Sequence, residues 1–278
     1  MNAPVTLYHR SNDVQRQDAK DILDEYSKVI KWRKDGRDSL LDIGCGSGDV
    51  MIDFILPIMP KNFSKLMGVD IAEDMVKHAK LLYQRPKISF DKCNIAGDIK
   101  AILVDHSEGF DHVTSFYCLH WEWNQKKAIK NIFDLLKHDG DCLLVFLAKH
   151  PIFDVYKKLS QNNKWAPFME DVDRFISPYH HRENPAADFN ELLKSTGFTT
   201  YNVKLVDKTY VYGGLNTLKR NVSAINPFLV NMSPNEREEF FEDYIKTIIH
   251  MNISQKDEDE NDYKFISSYK LLVAYARK

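Results

Sequence analysis

The chain has 278 residues, 44% of them hydrophobic and 28% charged, and a formal net charge of −2. That length buries a full hydrophobic core and fits one large domain, or one domain with a substantial insertion. The near-neutral charge, with no stripe of Lys and Arg interleaved with aromatics, leaves no electrostatic footprint for nucleic acid and points to a small-molecule ligand.

The polar stretch 1–13 lacks the apolar run of a secretion signal. The most apolar early stretch, 54–59, is broken by Pro57 and is too short to span a bilayer. Four cysteines (Cys45, Cys93, Cys118 and Cys142) lie far apart with no Cys-x-x-Cys spacing. They read as reduced thiols of a cytoplasmic protein, and no metal site is expected. A first helix is expected over 14–31, where Ala19, Ile22, Leu23, Tyr26, Val29 and Ile30 recur at helical spacing behind Asn12 as N-cap. From residue 39, strand and helix patterns alternate. Strands are expected at 39–43, 65–70, 88–94, 110–116 and 141–147, with helices at 73–84 and 124–136, the second closed by Gly140 at its C′ position.

Beyond residue 147 the alternation loosens. An aromatic, proline-bearing stretch at 150–185 leads to a helix at 188–195 and a strand around 199–207. Residues 213–253 read as helical, anchored by Ile225, Phe228, Leu229, Phe240, Phe241, Ile245, Ile248 and Ile249. The acidic run 256–262 reads as a solvated loop, and 271–275 as a final strand. Strand and helix in series imply an α/β fold: a Rossmann-like, doubly wound, mostly parallel seven-stranded sheet with helices on both faces. The chain is expected to be a single domain over 1–278. Residues 1–38 would supply an N-terminal helix, 39–147 the ligand-binding half of the sheet, and 148–187 and 213–262 helical cap insertions. A ligand crevice belongs at the carboxyl ends of the strands.

The sharpest local signal is Leu41-Asp42-Ile43-Gly44-Cys45-Gly46-Ser47-Gly48-Asp49. Alternate glycines directly after a strand follow a turn open only to Gly and let a ligand approach the backbone. The spacing of Gly44, Gly46 and Gly48 is Gly-x-Gly-x-Gly, whereas a pyrophosphate on a helix N-terminus calls for Gly-x-Gly-x-x-Gly. Asp42 would repel a pyrophosphate and suit the ammonium and sulfonium of S-adenosylmethionine. Asp70, ending the second strand, is placed for both ribose hydroxyls, a feature that dinucleotide enzymes share. The plainer alternative is an ordinary tight turn with Asp42 capping the next helix.

The loop, Asp70 and the following Ile71-Ala72-Glu73-Asp74-Met75 resemble class I S-adenosylmethionine-dependent methyltransferases over residues 39–147. The resemblance places Asn94 and Ile95 at the adenine, Met75 beneath it, Ile71 beside Asp70, and Tyr117, Cys118 and Leu119 near the methyl group. For Met75 and Leu119, simple core packing is the alternative. Over the whole chain, Tyr8-His9-Arg10-Ser11-Asn12-Asp13-Val14-Gln15 and Cys118-Leu119-His120-Trp121, with the two late insertions, resemble the insect juvenile hormone acid methyltransferases. That resemblance implies methyl transfer to the carboxylate of a sesquiterpenoid acid, juvenile hormone acid or farnesoic acid, held by Gln15 and Trp121. His120, Trp123, Ile225, Phe228 and Leu229 would join them in binding a small apolar carboxylic acid; Trp165 and Phe168 are further tunnel candidates.

The chemistry makes neutral donors sensible. A carboxylic acid with an ordinary pKa of ~4 is already an anionic nucleophile at pH 7, so no general base is needed. Both charges vanish as methyl moves from sulfonium to oxygen. A Lys or Arg clamp would therefore hold the ground state better than the transition state. A Gln amide and a Trp indole N–H orient the nucleophile without that penalty. Gln15 could instead close a capping box with Asn12, Trp121 could be a core aromatic, and His120 a structural histidine. The adjacent His180 and His181 read as surface. Three other readings stay open: a non-catalytic lipid-ligand carrier on this fold, a methyltransferase for a small aromatic acid, and a nicotinamide-dependent oxidoreductase. The sequence sets no oligomeric state.

Overall fold

The structure, a computed structural model, describes residues 5–256 and 263–278. Helices α1 (Val5–His9) and α2 (Asp13–Tyr26) precede strand β1 (Ser39–Ile43). A π-helical turn, Met51–Ile55, runs into α3 (Leu56–Ile58), followed by β2 (Lys65–Asp70), α4 (Glu73–Tyr83), β3 (Ile88–Lys92) and α5 (Lys100–Asp105). Next come β4 (Phe110–Phe116), a 3-10 turn at Leu119–Trp121, α6 (Gln125–Leu135) and β5 (Leu136–Lys149). The rest comprises α7 (Pro151–Ser160), α8 (Pro185–Thr196), β6 (Thr200–Gly213), α9 (Leu215–Ile225), α10 (Pro234–His250), β7 (Ser254–Lys256) and β8 (Tyr263–Arg277).

Seven strands lie in the order β3-β2-β1-β4-β5-β8-β6, and the short β7 pairs antiparallel with β8. The pairs β1–β2, β2–β3, β1–β4 and β4–β5 are all parallel. The chain winds outward from β1 through β2 to β3, then returns to β4 on the other side of β1. That reversal is a topological switch point, so the carboxyl ends of β1 and β4 are where a ligand crevice forms.

By internal packing the chain divides into two compact units. The first comprises Asp13–Phe146, Glu183–Leu205 and Leu272–Lys278. Its inner strands are buried runs: Leu40, Leu41 and Ile43 on β1, Leu66 and Val69 on β2, Leu143 to Phe146 on β5. Continuous burial, with no alternation, is what helices on both faces of a parallel sheet require. α2 contributes Ala19, Ile22, Leu23 and Tyr26, and α6 contributes Ala128, Ile129, Ile132 and Leu135. Burying one such Leu or Ile contributes roughly 1.5–3 kcal/mol. From α8, Phe189 packs edge-on against Phe146 at 5.4 Å.

The second unit comprises Met1–Asn12, Leu147–Arg182 and Val206–Leu271. Its interior is aromatic. Tyr156 meets Phe228 at 5.1 Å, Phe228 meets Phe175 at 5.2 Å, and Trp165 meets Phe240 at 5.2 Å. The Trp165 indole N–H donates to Asp243 at 3.0 Å, so this buried ring keeps its polar partner.

Several expectations are corrected. The first helix stops at Tyr26, short of residue 31, because side-chain carboxylates replace helical carbonyls. Lys31 N donates to Asp141 and Arg33 N to Asp38. Gly140 does not cap α6: the helix passes straight into β5, and a Cβ at Gly140 would lie 3.0 Å from the carbonyls of Asp111 and Lys137. The glycine serves close backbone approach. The stretch 213–253 is two helices, broken where Asn226 caps the turn at Pro227 and where Ser233 and Glu236 form a capping box before α10. α7 lies inside 150–185, where only loosened structure was expected; Pro151 stands in its first turn and the His150 ring accepts Ile152 N. β5, β6 and β8 are longer than expected, since ladder pairing continues beyond their apolar segments. β3 ends at Lys92, so Asn94 and Ile95 lie in the loop beyond it. His180 is half-buried, not surface: its Nε2 bonds Asp154 at 2.9 Å and its ring packs on His181 at 4.5 Å. The expected acidic loop lies, from residue 257, outside the described residues.

Candidate active site

Every expected cofactor residue, with Gln15, His120, Trp121 and Trp123, falls in the first unit. After β1 the backbone enters the left-handed region at Gly44 (φ +73°), Gly46 (+54°) and Gly48 (+85°). Gly44 is the tightest: a Cβ there would come within 2.3 Å of the Cys118 Cβ. Gly44 N and Cys45 N both donate to Val69 O, at 2.8 and 3.0 Å, which lashes the loop to the end of β2.

Three carboxylates gather around this loop. Asp42 is buried at the end of β1 and accepts the Thr114 hydroxyl from β4 at 2.7 Å. It does not cap a helix; the π-helical turn that follows the loop begins without a side-chain cap. Burial raises Asp42 to about 7, the Thr114 bond pulling it down and the charges of Asp70 and Asp49 pushing it up. Asp70, at the end of β2, accepts Gly46 N at 2.9 Å and Ala72 N at 2.8 Å. Burial raises it too, against the pull of those two N–H groups. Asp49 is buried, accepts the Ser47 hydroxyl at 2.7 Å and is paired with Arg16 of α2 at 2.6 Å. Among the described residues, Asp42 and Asp70 have no cationic side chain as ion-pair partner. This cluster of carboxylate acceptors beside a glycine-rich loop suits a cationic, hydroxyl-bearing ligand and repels a polyanion.

The remaining expected residues lie on α2, on α4, in the segments after β2, β3 and β4, and in the second unit. Ile71 is 60% exposed beside Asp70, while Met75 in the first turn of α4 packs in the interior. In the loop after β3, Asn94 is exposed and its Oδ1 accepts Ala96 N; Ile95 is buried. At the end of β4, Tyr117 adopts a left-handed backbone (φ +55°), and its hydroxyl donates to Asp18 of α2 at 2.5 Å. Leu119 is fully buried in the 3-10 turn, next to buried His120, whose ring packs 4.6 Å from that of Trp121. Trp123 is 53% exposed. Gln15 is half-buried on α2. Its Oε1 is shielded from solvent with no hydrogen bond, so the capping box with Asn12 is not formed. Ile225, Phe228 and Leu229 belong to the second unit, where Phe228 and Leu229 are buried and Ile225 half-buried.

Four side chains escaped the sequence reading. Arg16 and Asp18 tie α2 to the loop and to Tyr117. Gln125 and Asn131 on α6 bond the turn bearing Trp121 and the loop bearing Ile95. Asp18 was legible as a position three residues past Gln15 on one helix face. Gln125 and Asn131 were legible as polar residues beside the apolar stripe of α6.

Residues 14–203 match the family described as "Methyltransferase domain". The juvenile hormone acid O-methyltransferase of Drosophila melanogaster is 48% identical, the match covering 98% of this chain and 91% of that one. The Bombyx mori enzyme of the same name is 43% identical, over 98% and 96%. Among solved structures, the YcgJ protein from Bacillus subtilis superposes with a TM-score of 0.58 at 19% identity, covering 92% of this chain and 97% of that one. The Haemonchus contortus phosphoethanolamine N-methyltransferase 2, solved with S-adenosyl-L-methionine, gives 0.52 at 14% identity, over 94% and 52%. These two likenesses bear on the fold alone. With the carboxylate-ringed glycine loop, the two insect relatives decide the matter: the chain belongs to the S-adenosylmethionine-dependent methyltransferases and, among them, to the juvenile hormone acid O-methyltransferase family.

Proposed function

We propose that this enzyme methylates the carboxylate of juvenile hormone acid or farnesoic acid, giving the methyl ester. The observation that carries this reading is the 48% identity over 98% of the chain to an enzyme named for that reaction. S-adenosylmethionine, the cofactor, supplies a sulfonium-bound methyl carbon whose transfer to a carboxylate oxygen leaves a neutral thioether. Asp42 favours its positive charge, and Asp70 accepts from its ribose hydroxyls. Ile71, Met75, Asn94, Ile95, Tyr117, Cys118 and Leu119 form its surroundings.

On the acceptor side, Gln15 and Trp121 hold the carboxylate with neutral N–H donors, and His120 and Trp123 support them. The acid arrives ionised, so no side chain has to take its proton. What the protein contributes is alignment and exclusion of water. The Gln15 amide fits this role as a neutral donor, half-buried on α2 and not tied up in a capping box. No described helix is long and apolar enough to cross a membrane. We place the reaction in the cytoplasm, a setting that the four free thiols fit.

The test is transfer of labelled methyl from S-adenosylmethionine to a panel: sesquiterpenoid acids, a plain fatty acid, a small aromatic acid and a phenol. Ester formed fastest on the sesquiterpenoid acids supports the proposal. Turnover confined to the aromatic acid or the phenol would replace the acceptor while keeping the reaction class.

A further inference from the structure

α6 turns an apolar stripe inward, with Ala128, Ile129, Ile132 and Leu135 buried, yet the same helix buries two amides, Gln125 and Asn131. A buried amide is costly unless its donors are satisfied, so their partners reveal what the position is for. Gln125 Nε2 donates to Leu119 O at 2.7 Å and to Glu122 O at 2.6 Å. Those carbonyls bracket the turn that carries His120 and Trp121. Asn131 Nδ2 donates to Ile95 O at 2.6 Å and to Gly97 O at 3.0 Å. Those belong to the loop after β3, where Asn94 Oδ1 accepts Ala96 N and Gly97 N returns to Asn94 O.

A primary amide has two N–H donors. Each of these amides spends both on a single loop, so each loop is gripped at two points and its orientation is set as well as its distance. Neither loop is held by a sheet ladder. The two residues lie six positions apart on one helix, so a single rigid element sets both loops.

We propose that α6 is the rack of this active site: Gln125 is a positioning residue for Trp121, and Asn131 a positioning residue for the loop of Asn94 and Ile95. The proposal rests on the functional reading above, which gives the first loop to the acceptor and the second to the cofactor. It assigns the two amides to different kinetic parameters. Loosening the Trp121 turn misaligns the nucleophile and lowers kcat. Loosening the Ile95 loop weakens the cofactor before any methyl moves. A role in folding alone would lower stability in both variants without separating these effects.

The experiment compares Gln125→Met and Asn131→Leu, which keep volume and remove the donors. It measures kcat and KM on the sesquiterpenoid acid, and the Kd of S-adenosylhomocysteine by titration calorimetry. Gln125→Met is expected to lose about tenfold or more in kcat with Kd changed by less than about twofold. Asn131→Leu is expected to raise Kd about tenfold with kcat at saturating cofactor nearly preserved. Parallel shifts of both parameters in both variants, or no shift in either, overturn the proposal. Should an apolar variant fail to fold, Gln125→Glu or Asn131→Asp replaces it and is read for the same split. If the wild-type enzyme esterifies no acid on the panel, the acceptor reading falls and takes the Gln125 half with it. The titration then still decides the Asn131 half.

Discussion

Gln15 shows how one side chain can carry a hypothesis. Its shielded amide oxygen lacks a hydrogen bond, at a cost of about 1–3 kcal/mol, while its N–H groups are the donors that an ionised carboxylate can engage. Gln15→Ala and Trp121→Phe are each expected to lower kcat about tenfold or more while the Kd of S-adenosylhomocysteine stays within about twofold. Full activity in either variant, measured by ester formation, removes that residue from the acceptor site. Asp42 makes a different prediction. Burial holds its carboxyl at about 7, with Asp70 and Asp49 adding to the rise. It is therefore largely protonated below that pH and ionised above it. A cationic cofactor binds the ionised form, so affinity for S-adenosylmethionine should strengthen as pH rises toward 7, by up to about tenfold per pH unit, and level off above it. In Asp42→Asn the calorimetric profile should flatten near the affinity of the protonated wild type, so that the two differ most at and above pH 7. An unchanged slope in that variant would assign the titration to another group.

At the scale of elements, α2 does more than close the core. Within one turn it presents Gln15, then Arg16 to Asp49 and Asp53 at 2.6 and 2.8 Å, then Asp18 to the hydroxyl of Tyr117. The last bond joins α2 to a left-handed residue at the end of β4, a backbone state that surrounding contacts must stabilise. Tyr117→Phe leaves the buried Asp18 without this donor. It should cost about 1–3 kcal/mol in urea denaturation and also slow turnover. In a double-mutant cycle with Asp18→Asn, the two changes should be coupled rather than additive. Additive losses would mean the bond carries neither role. The same scale shows what sequence pattern reads well. α4 and α6 were legible to within a residue or two because their apolar spacing and bounding turns are local. α7 is hard to read from sequence because the surrounding aromatics and prolines mask Ile152, Val155, Tyr156 and Leu159 at helical spacing. Gly140 reads as a cap in sequence because a glycine after a helix does so whether or not a neighbouring backbone crowds it.

For the molecule as a whole, the stability of the first unit should depend on pH through one histidine. His112 is buried on β4, its Nδ1 2.6 Å from Asp141 on β5 and its Nε2 2.9 Å from Asp38, with the Trp32 ring edge-on at 4.6 Å. Asp141 also accepts Lys31 N and the Tyr275 hydroxyl, and Asp38 accepts Arg33 N. Nearby Asp111 is answered by Arg33 and Lys137. Burial alone would lower the His112 pKa, but the bonds and charges of Asp141 and Asp38 outweigh it and raise the pKa above its ordinary value. A raised histidine stabilises the fold fully below its unfolded pKa of ~6.5. That contribution is lost as pH rises through the folded value. Urea denaturation should therefore show stability declining above about pH 6.5, and His112→Gln should abolish that slope. A slope that survives the substitution would place the dependence elsewhere. None of this cluster is legible in the sequence, since Asp38, His112 and Asp141 are unremarkable singly and meet only when β4 pairs with both β1 and β5. The parallel sheet, the glycine loop, the acids that follow β1 and β2 and the family were determined by the sequence alone, because burial periodicity and left-handed turns are local properties of the chain. The partners of Asp42, Asp18, Gln125, Asn131 and His112 were decided only by the tertiary structure. A hydrogen bond depends on distance and direction in space, and local pattern does not encode which distant residues folding brings within about 3 Å.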